Sequence, residues 1–211
     1  MSTETRDIID LLAGIVPGSS LDAIRARRLQ ARENAQKSYL SLFEPADFGE
    51  LAAADRCAVA AFVASVHGES AVANFYLAKL AKAAGRTELV EALKTEIERG
   101  KTTGPYGAFP AGPLSTEDKT GLIYRVAEDR KSVTGEKLAA ALEHAHLLVF
   151  RPRDASPGDM QALLDAGWSS TAIVVLSQLV AFLSFQVRSV AGLRTLGASL
   201  AQSAAVAAKA G

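Results

Sequence analysis

The sequence predicts an all-α protein. Three observations carry that reading. Ala and Leu dominate a chain that is 49% apolar and only 6% aromatic, which favours helix over strand. Helix-start and helix-stop signals punctuate nearly its whole length. No segment alternates apolar and polar residues between turn signals, as half-buried strands do, so essentially no sheet is expected.

Taken in order, Ile8, Ile9, Leu11, Leu12 and Ile15 mark a first short helix that stops near Pro17-Gly18. Ser19 or Ser20 then caps a longer helix through Leu21, Ile24, Leu29 and Ala35 to Phe43, ended by Pro45. From about Phe48 to Val66 an Ala-rich helix sets Leu51, Val59, Phe62 and Val63 on one face, and His67-Gly68 interrupts it. A helix from Ser70 to Ala84 follows, stopped by Gly85. Thr87 caps the next, with Leu89, Val90, Leu93 and Ile97, ending at Arg99-Gly100.

Lys101 to Ser115 holds three glycines, three prolines, Tyr106 and Phe109, and neither helix nor strand survives that density of breakers. It reads as a long ordered loop, either a lid or wall of a site or a packed crossover between helical halves 1–100 and 116–211. Beyond it, helices are expected over Asp118–Ala127 and, capped by Thr134, over Gly135–Val149. Ser156-Pro157-Gly158-Asp159 starts another, with a capping serine, a proline in the first turn and an acid in the third position. Ser169 or Ser170 caps a long apolar helix to about Leu196, and Ser199–Lys209 adds a helical tail. The expectation is one all-helical domain over 1–211 with about nine or ten helices. Glu50–Lys82 and Asp159–Leu193 repeat a rhythm of short helix, break and long apolar helix, which hints at internal duplication.

Charge and cysteine content narrow the function. Lys+Arg and Asp+Glu are both 23, for a formal net charge of +0. Such a chain has no global field to draw it to a phosphate backbone, so no nucleic-acid partner is expected. Neutrality with broad apolar faces favours a homo-oligomer instead. Cys57 is the single cysteine and excludes an internal disulfide. Residues 1–10 carry mixed charges and no apolar signal core, so a cytoplasmic location is expected. Thr171–Val187 has no charged residue, but it is short for a span and contains Gln178, Ser184 and Gln186 before Arg188. A core helix is the better reading, and no membrane partner is expected.

Asp159, Leu163 and Ala166-Gly167 precede an apolar helix that carries Phe185-x-x-Arg188. This stretch resembles the C-terminal half of two-part, peroxidase-related members of the carboxymuconolactone decarboxylase / alkyl hydroperoxidase D-like superfamily. The segment Leu51–Leu80 resembles that superfamily's core helical hairpin, and together the two cover about two-thirds of the chain. The resemblance implies a helical bundle and an oligomer. In the hydroperoxidase branch the hairpin carries a Glu, then a Cys-x-x-Cys and a His. The thiols reduce peroxide and close a disulfide while the Glu–His pair moves protons.

Aligned on His67-Gly68, the Glu position is Cys57, the first Cys is Glu69, the second is Val72 and the His is Tyr76. A dithiol cycle needs two sulfurs, so the peroxidase mechanism does not carry over. Glu69, His67, Cys57 and Tyr76 remain as candidate catalytic residues around one hairpin, with Asn74 nearby. The implied function is a divergent acid–base enzyme acting on a small organic acid or lactone. The alternatives are a non-catalytic helical oligomer or partner-binding protein, and a one-cysteine peroxidase that uses Cys57. No cofactor is expected. Glu143, His144 and His146 look like metal ligands on paper, but on a helix the two histidines sit about 200° apart and cannot share one ion. Arg188 is either a buried anion clamp or a partner in a surface ion pair.

Overall fold

A computed structural model describes residues 6–85 and 87–210. Residues 1–5 of the charged N-terminal stretch, with Arg86 and Gly211, lie outside the described residues. Among the described residues the protein is all-α, with nine helices and no strand: α1 (Ile8–Ala13), α2 (Ser20–Ala26), α3 (Leu29–Phe43), α4 (Ala53–Val66), α5 (Ser70–Ala84), α6 (Thr87–Gly100), α7 (Glu128–Phe150), α8 (Pro157–Asp165) and α9 (Ser170–Ala210). The only β-type pairing among them is an isolated antiparallel bridge between Gly107 and Lys119. By internal contacts the chain forms two compact units, residues 1–45 with 185–211, and residues 46–184.

In the first unit, α1 and α2 both pack on α3. Asp7 caps α1 by accepting from the Asp10 amide at 2.9 Å, and Ser19 caps α2 by accepting from the Asp22 amide at 3.3 Å. The single helix expected from Ser19 or Ser20 to Phe43 is two. It breaks at Arg27–Arg28, between two arginines that converge on the buried Asp10. Arg25 donates to Asp10 Oδ1 at 2.8 Å and to Asp7 at 2.7 Å, while Arg32 donates to Asp10 Oδ2 and, at 3.0 Å, to Asp22.

In the second unit, α4 is the central helix, against α5, α6 and α7, and every residue from Arg56 to Ala64 is buried. It starts at Ala53, not near Phe48. The buried Arg56 guanidinium takes the carbonyls of Leu51 (2.7 Å) and Phe48 (2.8 Å), which holds the preceding segment as a loop. The α4–α5 turn is made at Gly68, whose φ of 79° is a left-handed conformation that favours glycine.

The segment between α6 and α7 is a packed crossover. Tyr106 is buried, stacks on Phe150 with ring centroids 6.2 Å apart, and donates its hydroxyl to the Leu122 carbonyl. A Cβ on Gly121 would lie 2.4 Å from the Tyr106 ring, so the backbone passes where only hydrogen fits. The helix expected over Asp118–Ala127 is absent. Lys119 pairs with Gly107, Tyr124 is buried, and the Val126 amide donates to Glu143 at 3.0 Å. These tertiary bonds replace the internal ones a helix would have made. Helix α7 begins instead at Glu128 and breaks at Gly135 (φ 76°, ψ 158°). Thr134 does not cap its second part, because its hydroxyl donates to the Arg130 and Gly135 carbonyls.

Ser156 starts α8 by donating its amide (2.9 Å) and its hydroxyl (2.7 Å) to Asp159 Oδ2. Ser169 caps α9 by accepting from the Ala172 amide at 3.2 Å. The expected separate tail is a continuation of α9. Over Ser170–Ser203 this helix is long and apolar enough to cross a bilayer. Its residues Leu176, Leu179, Val180 and Leu183 are buried within the protein.

Candidate functional site

The α4–α5 hairpin holds all four residues expected from the sequence, at two levels. His67 and Glu69 flank the Gly68 turn. His67 Nε2 lies 3.3 Å from the Ser184 hydroxyl, and Glu69 is the half-buried residue preceding α5. Cys57 is ten residues earlier on α4, about 15 Å along the axis at 1.5 Å per residue. It is buried, and desolvation raises its thiol pKa while the charge of Lys79 on α5 works the other way. Tyr76 is fully buried and meets Phe75 edge to face at 5.1 Å. A cavity of about 310 Å3 adjoins the turn, lined by Ser65, Gly68, Ser70, Asn74, Lys94 and Lys101 among others. None of the four expected residues lines it, although Asn74 does. Arg188 on α9 is exposed, so it is not a buried anion clamp.

The other paper constellation, on α7, separates as helix geometry requires. The neutral-side partner of His146 is the Gly100 carbonyl, 2.9 Å from Nε2, and its ring stacks on Tyr124 with centroids 4.9 Å apart. His144 turns to α9, where Nε2 lies 3.1 Å from the Ser177 hydroxyl. Among the described residues no three His, Cys, Asp or Glu side chains are grouped to hold a metal ion.

A second cavity, of about 120 Å3, is lined from three directions. Ala140, Glu143, His144 and Leu147 of α7 share one face, at the i, i+3, i+4, i+7 spacing. Asp159, Ala162 and Leu163 of α8 repeat that spacing opposite them, and Arg125 of the crossover completes the wall. Leu163 is buried, so the apolar seam between the helices fixes the depth at which the polar groups sit.

Three titratable groups here sit in three different environments. Glu143 is pushed up from its ordinary value by burial, against the Val126 N–H and the charges of Arg125 and Lys131. Its Oε1 accepts from Val126 at 3.0 Å and its Oε2 is 3.4 Å from Arg125 Nη1. His144 is lowered, chiefly by burial, with the charge of Asp159 opposing. The residue is 4% exposed, and its Nδ1 has no hydrogen-bond partner. An imidazole in that state has one nitrogen committed and one still able to exchange a proton. Burial also acts to raise Asp159, but the two Ser156 hydrogen bonds and the charges of Arg151 and Arg125 outweigh it and the group is lowered. A carboxyl whose neutral form burial favours and an imidazole whose neutral form burial favours therefore face one small cavity beside a fixed carboxylate.

Read from the sequence, Glu143 and His144 suggest only a metal-ligand pattern, which the angle between His144 and His146 excludes. The available signal was the match of two i, i+3, i+4 faces, one on each side of the 151–156 break. What it lacked was Arg125, which reaches the cavity only because residues 118–127 are not helical. No family model matches the chain, and no curated protein or solved structure gives a significant match.

Proposed function

We propose that the protein is a divergent carboxymuconolactone decarboxylase / alkyl hydroperoxidase D-like protein that performs acid–base chemistry on a small organic acid or lactone, at the α7–α8 cavity rather than at the hairpin. The observation that carries this reading is the pair Glu143 and His144. They are adjacent in sequence and line the same cavity, one raised and one lowered by burial. In this reading His144, whose charged form burial disfavours and whose Nδ1 has no partner, takes a proton from carbon, and Glu143, once protonated, donates to the substrate oxygen. The one-cysteine alternative has less support, because nucleophilic sulfur must be thiolate and burial holds Cys57 as the thiol.

The test is proton exchange. The protein is incubated in D2O with a panel of two- to four-carbon oxo acids and small lactones, and carbon-bound hydrogen is followed by NMR. Exchange or turnover is expected, and Glu143→Gln and His144→Gln should each slow it by about a hundredfold or more. A wild-type protein inert to the whole panel, or rates indifferent to both substitutions, removes the reading.

Self-association in the cytoplasm is the companion proposal. Val174 and Phe185 of α9 are 56% and 49% exposed, and eleven residues apart they lie on one face of the helix. Light scattering after Val174→Lys and Phe185→Lys should report a smaller species. An unchanged mass in both variants rules that face out.

A further inference from the structure

Resting on the acid–base reading of the α7–α8 cavity, we propose that the ligand it takes is a small monocarboxylate held by Arg125, and that each one bound brings a proton with it onto Glu143. The size follows from the volume. About 120 Å3 accommodates roughly four water-sized groups at about 30 Å3 each, the bulk of a two- or three-carbon acid.

The charge follows from Arg125. Its side chain is 59% exposed, so the guanidinium is reachable from solvent. Nη1 donates to the Tyr124 carbonyl at 3.2 Å and lies 3.4 Å from Glu143 Oε2, longer than a well-formed charged hydrogen bond. A planar fork with donors to spare beside a loosely held carboxylate favours a second, better-aligned carboxylate.

The proton follows from what the ligand does to Glu143. An anion seated on Arg125 takes away the main cation that favours ionised Glu143 and adds a like charge beside it. Glu143 then gains a proton from solvent and keeps its bond to the Val126 amide through Oε1. The surrounding groups fit this sequence. On α7 itself, Lys131 and Glu136 offset each other, and Lys131 is already paired with Glu128 at 3.0 Å. From α8, Asp159 is committed to Ser156 and faces the charge of Arg151 ahead of that of Arg125, while His144, beside Glu143 in the same cavity, has its charged form disfavoured by burial. From α6, Glu96 is committed to Tyr124 at 2.8 Å, and Arg99 is bonded to the Arg125 carbonyl. Toward the same region α4 presents Phe62, which packs on Tyr124. Glu143 is thus the carboxylate whose charge partner the ligand displaces.

Calorimetry with acetate and propionate, in two buffers of different ionisation heat, tests this directly. Binding with net proton uptake is expected, tightening as pH falls, while acetamide and propylamine should not bind. Glu143→Gln should bind acetate with no proton exchange and a flat pH dependence. Arg125→Gln should weaken binding by about tenfold or more, and Arg125→Lys, which keeps the charge but not the fork, should fall between. Binding without proton uptake, uptake that persists in Glu143→Gln, or unaltered binding in Arg125→Gln each overturns the inference. So does a wild-type protein that binds neither acid. Lactone turnover that depends on Glu143 and His144, without carboxylate binding, would sink this inference and leave the acid–base reading standing. Binding with proton uptake but no turnover would do the reverse.

Discussion

The Tyr124 hydroxyl donates to Glu96 Oε2 at 2.8 Å, and Glu96 is fully buried. This bond fastens the crossover to α6, and the next two residues follow from it: Arg125 lines the cavity and the Val126 amide holds Glu143. Glu96 Oε1 has no partner, and Oε2 has only Arg99 besides, at 3.4 Å. Tyr124→Phe should therefore cost about 1.5–3 kcal/mol, the range for a hydrogen bond to a charged group. Urea denaturation reads the loss. A change under about 0.5 kcal/mol would mean the bond does not hold the crossover.

The same tyrosine sets an alkaline limit. Its pKa is raised by burial first and then by the hydrogen bond and charge of Glu96. The folded protein keeps the proton at a pH where the unfolded chain, near its ordinary value of about 10, gives it up. Folded protein then binds more protons than unfolded, so stability should fall as pH rises through that value. Tyr124→Phe should flatten this limb of the stability curve, and an equally steep limb in the variant would assign it elsewhere.

An acid limit comes from α7. His146 is lowered to about 4 by burial first, with the Gly100 hydrogen bond opposing and the charge of Arg151 reinforcing. His144 is lowered in the same direction. Between that value and about 6.5 the unfolded chain binds the protons that these rings refuse, so stability should drop as pH falls through this window. NMR titration of the imidazole signals checks it. Two rings that titrate at the ordinary histidine value would contradict the burial argument.

Asp10 is the hub of the first unit, with Arg25 and Arg32 both bonded to its carboxylate. Asp10→Ala strands two guanidiniums in part-buried positions and should cost roughly 3 kcal/mol. Asp10→Asn, which keeps the size but removes the charge, should cost nearly as much. A much smaller loss in Asp10→Asn would shift the explanation from charge to packing.

Cys57 should react with a disulfide reagent at least about a hundredfold more slowly in native protein than in urea, because burial and a raised pKa both suppress the thiolate. Rapid native labelling would reopen the thiol reading of the hairpin.

Much of the architecture is written in local signals. Asp159 with Ser156, the left-handed glycine after His67 and the breakers at 101–115 each act within a few residues, so they set helix ends whatever surrounds them. Helices α5 and α6 and the C-terminal end of α4 were legible for this reason, as was the lack of strands among the described residues. Residues 118–127 were not. Their composition permits helix, and only the distant Glu96, Glu143, Gly107 and His146 provide the bonds and the stacking that make a non-helical path better.

The candidate site divides in the same way. The sequence alone set what chemistry is possible: a lone sulfur rules out a dithiol cycle, and two histidines two positions apart on a helix cannot share an ion. Tertiary structure decided where proton chemistry has room. A side chain's protonation and reach depend on burial and on partners far along the chain, as Arg125 and Glu143 show across eighteen positions, and no local pattern encodes those distances.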